Sequence, residues 1–149
     1  MKKITLLATC VLLSMQLMAQ TQMRKVENKT KCDVIVTMEC YDLCALVSNY
    51  TQTFAAGTSG SILVSPCPTS SANFIIFRVC WKTPNGICPD NVPPAIPCTR
   101  VDGSNPPASA PCSPGTFTNK IQYCRACAPN NGLATVQYDP ITGILSIFP

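Results

Sequence analysis

A chain of 149 residues with a net charge of +4, 46% apolar residues and eleven cysteines is long enough for one domain with its own core. It contains no histidine. That excludes Ser-His-Asp and Cys-His catalysis, histidine-dependent zinc sites and the usual general base at neutral pH.

The first 19 residues read as a secretory signal peptide. Lys2 and Lys3 form the positive region, Ile4 to Met18 the apolar run, and Ala19 the small residue before the cut. Two alternatives use the same residues. A retained membrane anchor would need roughly 20 apolar residues, and this run is shorter and broken by Ser14 and Gln16. A lipoprotein signal at Leu7-Ala8-Thr9-Cys10 would place Thr9, a poor residue, ahead of the cysteine. Cleavage leaves a mature chain with no transmembrane segment and a charge near +2, since Lys2 and Lys3 depart. Residues 20–31 then read as a basic, flexible leader carrying Arg24, Lys25, Lys29 and Lys31. From Cys32 onward the charge is close to neutral. Nucleic-acid binding would need a basic face interleaved with aromatics, which this domain lacks.

Residues 32–149 read as a single domain built from strands. In Cys32 to Cys40, Val34, Val36 and Met38 alternate with Asp33, Thr37 and Glu39, the period of a half-buried strand. A turn at Asp42–Cys44 precedes a second strand over Tyr50 to Ala55. Gly57 and Gly60 bracket the turn to a short strand within Ser61 to Ser65. Asn73 to Thr83 has the strongest strand pattern. Ile75, Phe77, Val79 and Trp81 share one face; Phe74, Ile76, Arg78, Cys80 and Lys82 share the other. Apolar residues on both faces predict a central strand.

From Pro84 to Gly115 the texture changes, with nine of the 14 prolines. This stretch cannot be central sheet. It reads as a long Pro/Cys-rich surface loop with a small hairpin around Thr99 to Asp102. Thr116 to Cys124 is the next strand. Leu133 to Tyr138 and Gly143 to Phe148 form a hairpin through Asp139-Pro140-Ile141-Thr142, with Gly143 as a left-handed exit. Some seven short strands with turns between them predict an all-β, antiparallel β-sandwich. The placement of Trp81 among the cysteines resembles an immunoglobulin domain in architecture only. The Tyr-x-Cys signature is missing, because Tyr123 directly precedes Cys124.

Ten cysteines remain after cleavage: Cys32, Cys40, Cys44, Cys67, Cys80, Cys88, Cys98, Cys112, Cys124 and Cys127. An even number in an exported chain predicts structural disulfides, up to five. Connectivity is not readable, since ten cysteines allow roughly 945 pairings. Two other uses of these residues compete. Cys124-Arg125-Ala126-Cys127 is a CxxC, but redox work wants the first thiolate at a helix N-terminus, and a turn follows instead. Cys40 and Cys44 with Cys124 and Cys127 would make a four-cysteine zinc site only in a reducing compartment.

Paired carboxylates for glycoside cleavage are poorly supplied. Asp33 and Glu39 lie on one strand face about 20 Å apart at 3.3 Å per residue, and Asp90 with Asp102 have no telling spacing. No catalytic residue, metal or cofactor is expected. Trp81 is expected in the core and Tyr41, beside a turn, as an exposed ring. Asn28-Lys29-Thr30 and Asn49-Tyr50-Thr51 match the glycosylation acceptor pattern, which matters only in a eukaryotic host.

These residues predict an exported, extracytoplasmic, non-catalytic binding or adhesion module of the envelope or secreted fraction. Its contact surface would be the proline-rich loop, its partner a protein or glycan. One alternative is a structural subunit that assembles by β-strand addition into homo-oligomers, donating an exposed C-terminal strand Gly143 to Phe148. Another is a secreted disulfide-rich toxin or inhibitor.

Overall fold

The computed structural model describes residues 23–64, 67, 73–82, 97–104, 110–122, 127–128 and 132–149. The expected signal peptide, Cys88, Cys124 and most of the expected Pro84–Gly115 loop lie outside them. Nine strands occupy the described residues: β1 Met23–Asn28, β2 Val34–Asp42, β3 Ala45–Phe54, β4 Ser59–Leu63, β5 Asn73–Trp81, β6 Cys98–Asp102, β7 Thr118–Gln122, β8 Leu133–Asp139 and β9 Ile144–Phe148. They form two packed sheets, one ordered β4-β1-β9-β8-β7 and the other β3-β2-β5-β6. All neighbours are antiparallel except β1 and β9, which run parallel.

The core lies between the sheets and follows from the period of two. One sheet contributes Val34, Val36 and Met38 from β2 with Ile75, Phe77, Val79 and Trp81 from β5. The other contributes Val26, Ile62, Ile121, Val136, Leu145 and Ile147. Each fully buried side chain of this size contributes about 1.5–3 kcal/mol. β5 is central, between β2 and β6, as its two apolar faces predict. Its outer residues Phe74 and Ile76 form a second cluster with Tyr41 and Ala110, against which Cys112 packs. Gly143 adopts φ 70° at the exit of the β8–β9 turn, where a Cβ would be strained.

Four disulfides cross-link the described chain. Cys32–Cys127 ties the start of β2 to the chain beyond β7, and Cys40–Cys67 ties β2 to the chain beyond β4. Cys44–Cys112 fixes the β2–β3 turn to the segment covering Phe74. Cys80–Cys98 links directly opposed residues of β5 and β6. The zinc arrangement is overturned by this pairing. Cys40, Cys44 and Cys127 each bond a different cysteine, and none of those partners is another member of the proposed set. The same pairing removes Cys127 from a CxxC dithiol.

Four further expectations need correcting. The basic leader is a strand from Met23: β1 lies between β4 and β9, and its charges occur because Lys25 and Glu27 face outward while Val26 and Asn28 face the core. The C-terminal strand is not exposed for donation, because β9 is paired to β1 on one side and β8 on the other. Its apolar character on both faces reflects that central place. Thr99–Asp102 belongs to β6, which pairs with β5 as the edge of its sheet rather than forming its own hairpin. Tyr41 is not an exposed ring: it is buried and stacked on Phe74, with centroids 5.6 Å apart. Trp81 is buried in the core, as expected.

Candidate functional site

Among the described residues, no group of three or more His, Cys, Asp or Glu side chains could hold a metal, and no helix is long and apolar enough to cross a membrane. The clearest polar cluster lies on the outer face of the β3-β2-β5-β6 sheet. There Arg100 of β6 forms an ion pair with Glu39 of β2 and donates to the Tyr41 hydroxyl, which itself donates to Glu39 at 3.0 Å. The guanidinium also lies 5.7 Å from the Tyr41 ring centre. Burial, and then the Glu39 carboxylate, hold the Tyr41 phenol above its ordinary pKa. Glu39 is only 7% exposed and its charge is already matched. The cluster therefore locks β2 to β6 across β5 and offers no free acid or base. Asp33, just before β2, accepts from the Ala56 backbone N–H at 3.1 Å, so the two acids serve separate structural roles.

Asn28 is likewise structural. Its side-chain amide donates to the carbonyls of Cys32, Phe54 and Ala55 at 2.8, 3.2 and 3.0 Å, and its oxygen accepts from the Thr30 N–H and hydroxyl. The first acceptor sequon is thus folded inward. Asn49 of the second is exposed on β3.

The most accessible recognition feature is the free edge of β3. Among the described residues, no strand lies beyond it in the sheet order. The direction of its backbone groups follows from hydrogen bonds elsewhere. Lys82 donates to the Asp33 carbonyl at 3.0 Å, so Asp33, Ile35, Thr37 and Glu39 turn their backbone groups toward β5. Val34, Val36, Met38 and Cys40 then face β3, opposite Phe54, Gln52, Tyr50 and Ser48. That leaves the N–H and C=O groups of Asn49, Thr51 and Thr53 pointing out of the sheet. Thr51 confirms the parity: its hydroxyl lies 3.0 Å from that of Thr37, as side chains do in the closer, non-hydrogen-bonded pairs.

The other long-sheet edge is treated differently. On β6 the Arg100 carbonyl accepts from the Asn119 side chain at 3.2 Å, and the Asp102 N–H donates to Thr116 at 2.8 Å. β4 and β7, the edges of the second sheet, have five residues each against ten in β3. β3 also carries none of the lysines or prolines that usually guard an edge. It lies in an uncharged run that separates Asp42 from Arg78. Leu46, Val47 and Tyr50 are 50%, 47% and 40% exposed along it. Its one protective device is a bulge, where the register with β2 shifts and Val47 has no partner. The sequence pattern marks this strand only from Tyr50 onward, because the solvent-facing residues before it lack the alternation of a buried strand; the absence of charge after Asp42 is the signal that it begins earlier.

The ten candidate cysteines divide between disulfides and undescribed positions. Eight are bonded in pairs, while Cys88 and Cys124 lie outside the described residues. Compared with protein-family models, with curated proteins and with solved structures, the chain matches none.

Proposed function

We propose that this chain is an exported, non-catalytic binding or adhesion module of the cell envelope or secreted fraction, and that it takes an extended polypeptide strand along β3. The observation that carries this reading is the row of outward backbone groups at Asn49, Thr51 and Thr53 on a long, uncharged, unguarded edge. Strand addition draws affinity from such main-chain hydrogen bonds. Disulfides among eight cysteines support an oxidising, extracytoplasmic setting, together with the signal-like N-terminus. The contact surface moves from the proline-rich loop to β3.

The test uses the oxidised protein and a panel of uncharged extended peptides, an alternating Thr-Val octapeptide among them. Binding peptides should slow amide exchange at Asn49, Thr51 and Thr53, and Thr51→Pro should abolish that protection. Peptides that bind equally well to Thr51→Pro would place recognition elsewhere and sink the reading.

A further inference from the structure

We propose that the partner of the β3 edge is a second copy of this chain, paired antiparallel about a two-fold axis through Thr51; the proposal rests on the edge-binding reading above. The outward-facing residues Asn49, Thr51 and Thr53 follow the bulge at Val47 and precede the end of β3 at Phe54. They are symmetric about Thr51. An antiparallel copy centred there sets Thr51 against its counterpart and each Asn49 against the other Thr53. Those are hydrogen-bonded pairs, so every outward N–H and C=O of that stretch finds a partner. Shifting the register by two residues leaves outward groups unmatched at both ends.

The side chains agree with this register. On the outer face, the Thr37–Thr51 hydroxyl contact would continue across the axis as a row of threonines. On the other face, half-exposed Tyr50 would meet Gln52 of the second copy, covering an aromatic ring with a polar, flexible chain. No charge lies between Asp42 and Arg78, so the contact carries no like-charge repulsion, although each copy is net positive. The same neutrality gives a charged partner nothing to recognise. The pairing also closes. It joins two four-stranded sheets through their β3 edges, and the remaining outer edges are the β6 strands, already covered by Asn119 and Thr116. A closed dimer, not a fibre, results.

Sedimentation equilibrium of the oxidised protein should show a dimer whose amides at Asn49, Thr51 and Thr53 exchange slowly. Thr51→Pro removes an outward N–H without touching the β2 ladder, so the fold should survive it. Two lost hydrogen bonds per dimer should raise the dissociation constant about 30-fold. Thr51→Lys, which sets two like charges face to face, should also give monomers and guards against a misfolded proline variant. Thr51→Cys should form an intermolecular disulfide, whereas Thr53→Cys should do so only when mixed with Asn49→Cys. A wild-type protein that stays monomeric, or a Thr51→Lys variant that dimerises as tightly as wild type, would overturn the proposal. If the monomer's edge amides are protected by the Thr-Val octapeptide, strand binding stands and self-pairing falls. If the peptide fails as well, both fall.

Discussion

The Thr30 hydroxyl donates to the Asn28 side-chain oxygen at 2.6 Å, closing a buried knot between the end of β1 and the turn after β3. Asn28 is 1% exposed, so each of its polar atoms depends on these partners. Asn28→Ala would remove five hydrogen bonds and leave the Thr30 N–H without its acceptor, although the Cys32 carbonyl keeps the Thr30 hydroxyl and the Ala55 carbonyl keeps Thr58. The expected loss is about 3 kcal/mol, read as a lower denaturant midpoint with an unchanged slope. A change under 1 kcal/mol would show that water replaces the amide.

The weight of each disulfide depends on the loop it closes in the unfolded chain. Cys80–Cys98 spans 18 residues and Cys32–Cys127 spans 95, but with Cys44–Cys112 intact the latter closes only the 12 residues from Cys32 to Cys44 and the 15 from Cys112 to Cys127. On the chain-entropy argument, removing either pair by double Cys→Ser substitution should therefore cost about 3–3.5 kcal/mol. Chemical denaturation of the two double variants checks this, and losses that differ by more than about 1.5 kcal/mol would rule out loop entropy alone as the cause.

Gly103 leaves β6 beneath the aromatic core. A Cβ there would stand 2.5 Å from Phe77 Cε2 and 2.9 Å from Ile75 Cγ2. Both neighbours are buried and packed, so neither can swing away cheaply. Gly103→Ala is expected to destabilise by about 1–3 kcal/mol through overpacking. Thermal unfolding would register it, and an unchanged midpoint would mean that the backbone shifts freely.

On the outer face of β1, Lys25 and Lys29 flank Glu27 at 2.6 and 2.9 Å. Hydrogen bonds from Lys25 and then Lys29 hold the Glu27 carboxyl well below its ordinary value, at about 2. A depressed carboxylate stabilises the fold above its unfolded pKa, and that contribution fades as pH falls from about 4.5 toward 2. A carboxyl NMR titration of Glu27 should therefore have its midpoint near 2. The midpoint should return toward the usual carboxylate range in a Lys25→Ala, Lys29→Ala variant. A wild-type midpoint near 4.5 would refute the pairing.

The residues announce some of these elements and conceal others for physical reasons. β2, β5 and the β8–β9 hairpin are legible because one face of each is apolar and the turns carry Gly143 and Pro140. β1 is concealed because its inward side presents Arg24, Val26 and a buried asparagine, while Lys25 and Glu27 occupy its outer side. The start of β3 is concealed because Ala45 to Val47 face solvent on an edge. Apolar residues on both faces of β9 signal a strand with two neighbours, the same logic that places β5 correctly. Disulfide connectivity, and the meeting of Glu39 with Arg100, depend on chain separations that no local pattern records.

The parallel pairing of β1 with β9 governs how the molecule bears load. Residues before Met23 and after Phe148 leave these adjacent strands at opposite ends of one ladder, from Lys25 beside Ile144 to Asn28 beside Ile147. A pull on the two ends loads those hydrogen bonds together in shear rather than peeling them one by one. No described disulfide spans that seam, since the first bonded cysteine is Cys32. Tension would meet a clamp of backbone hydrogen bonds first, and only after β1 slides free would the cross-linked remainder feel it.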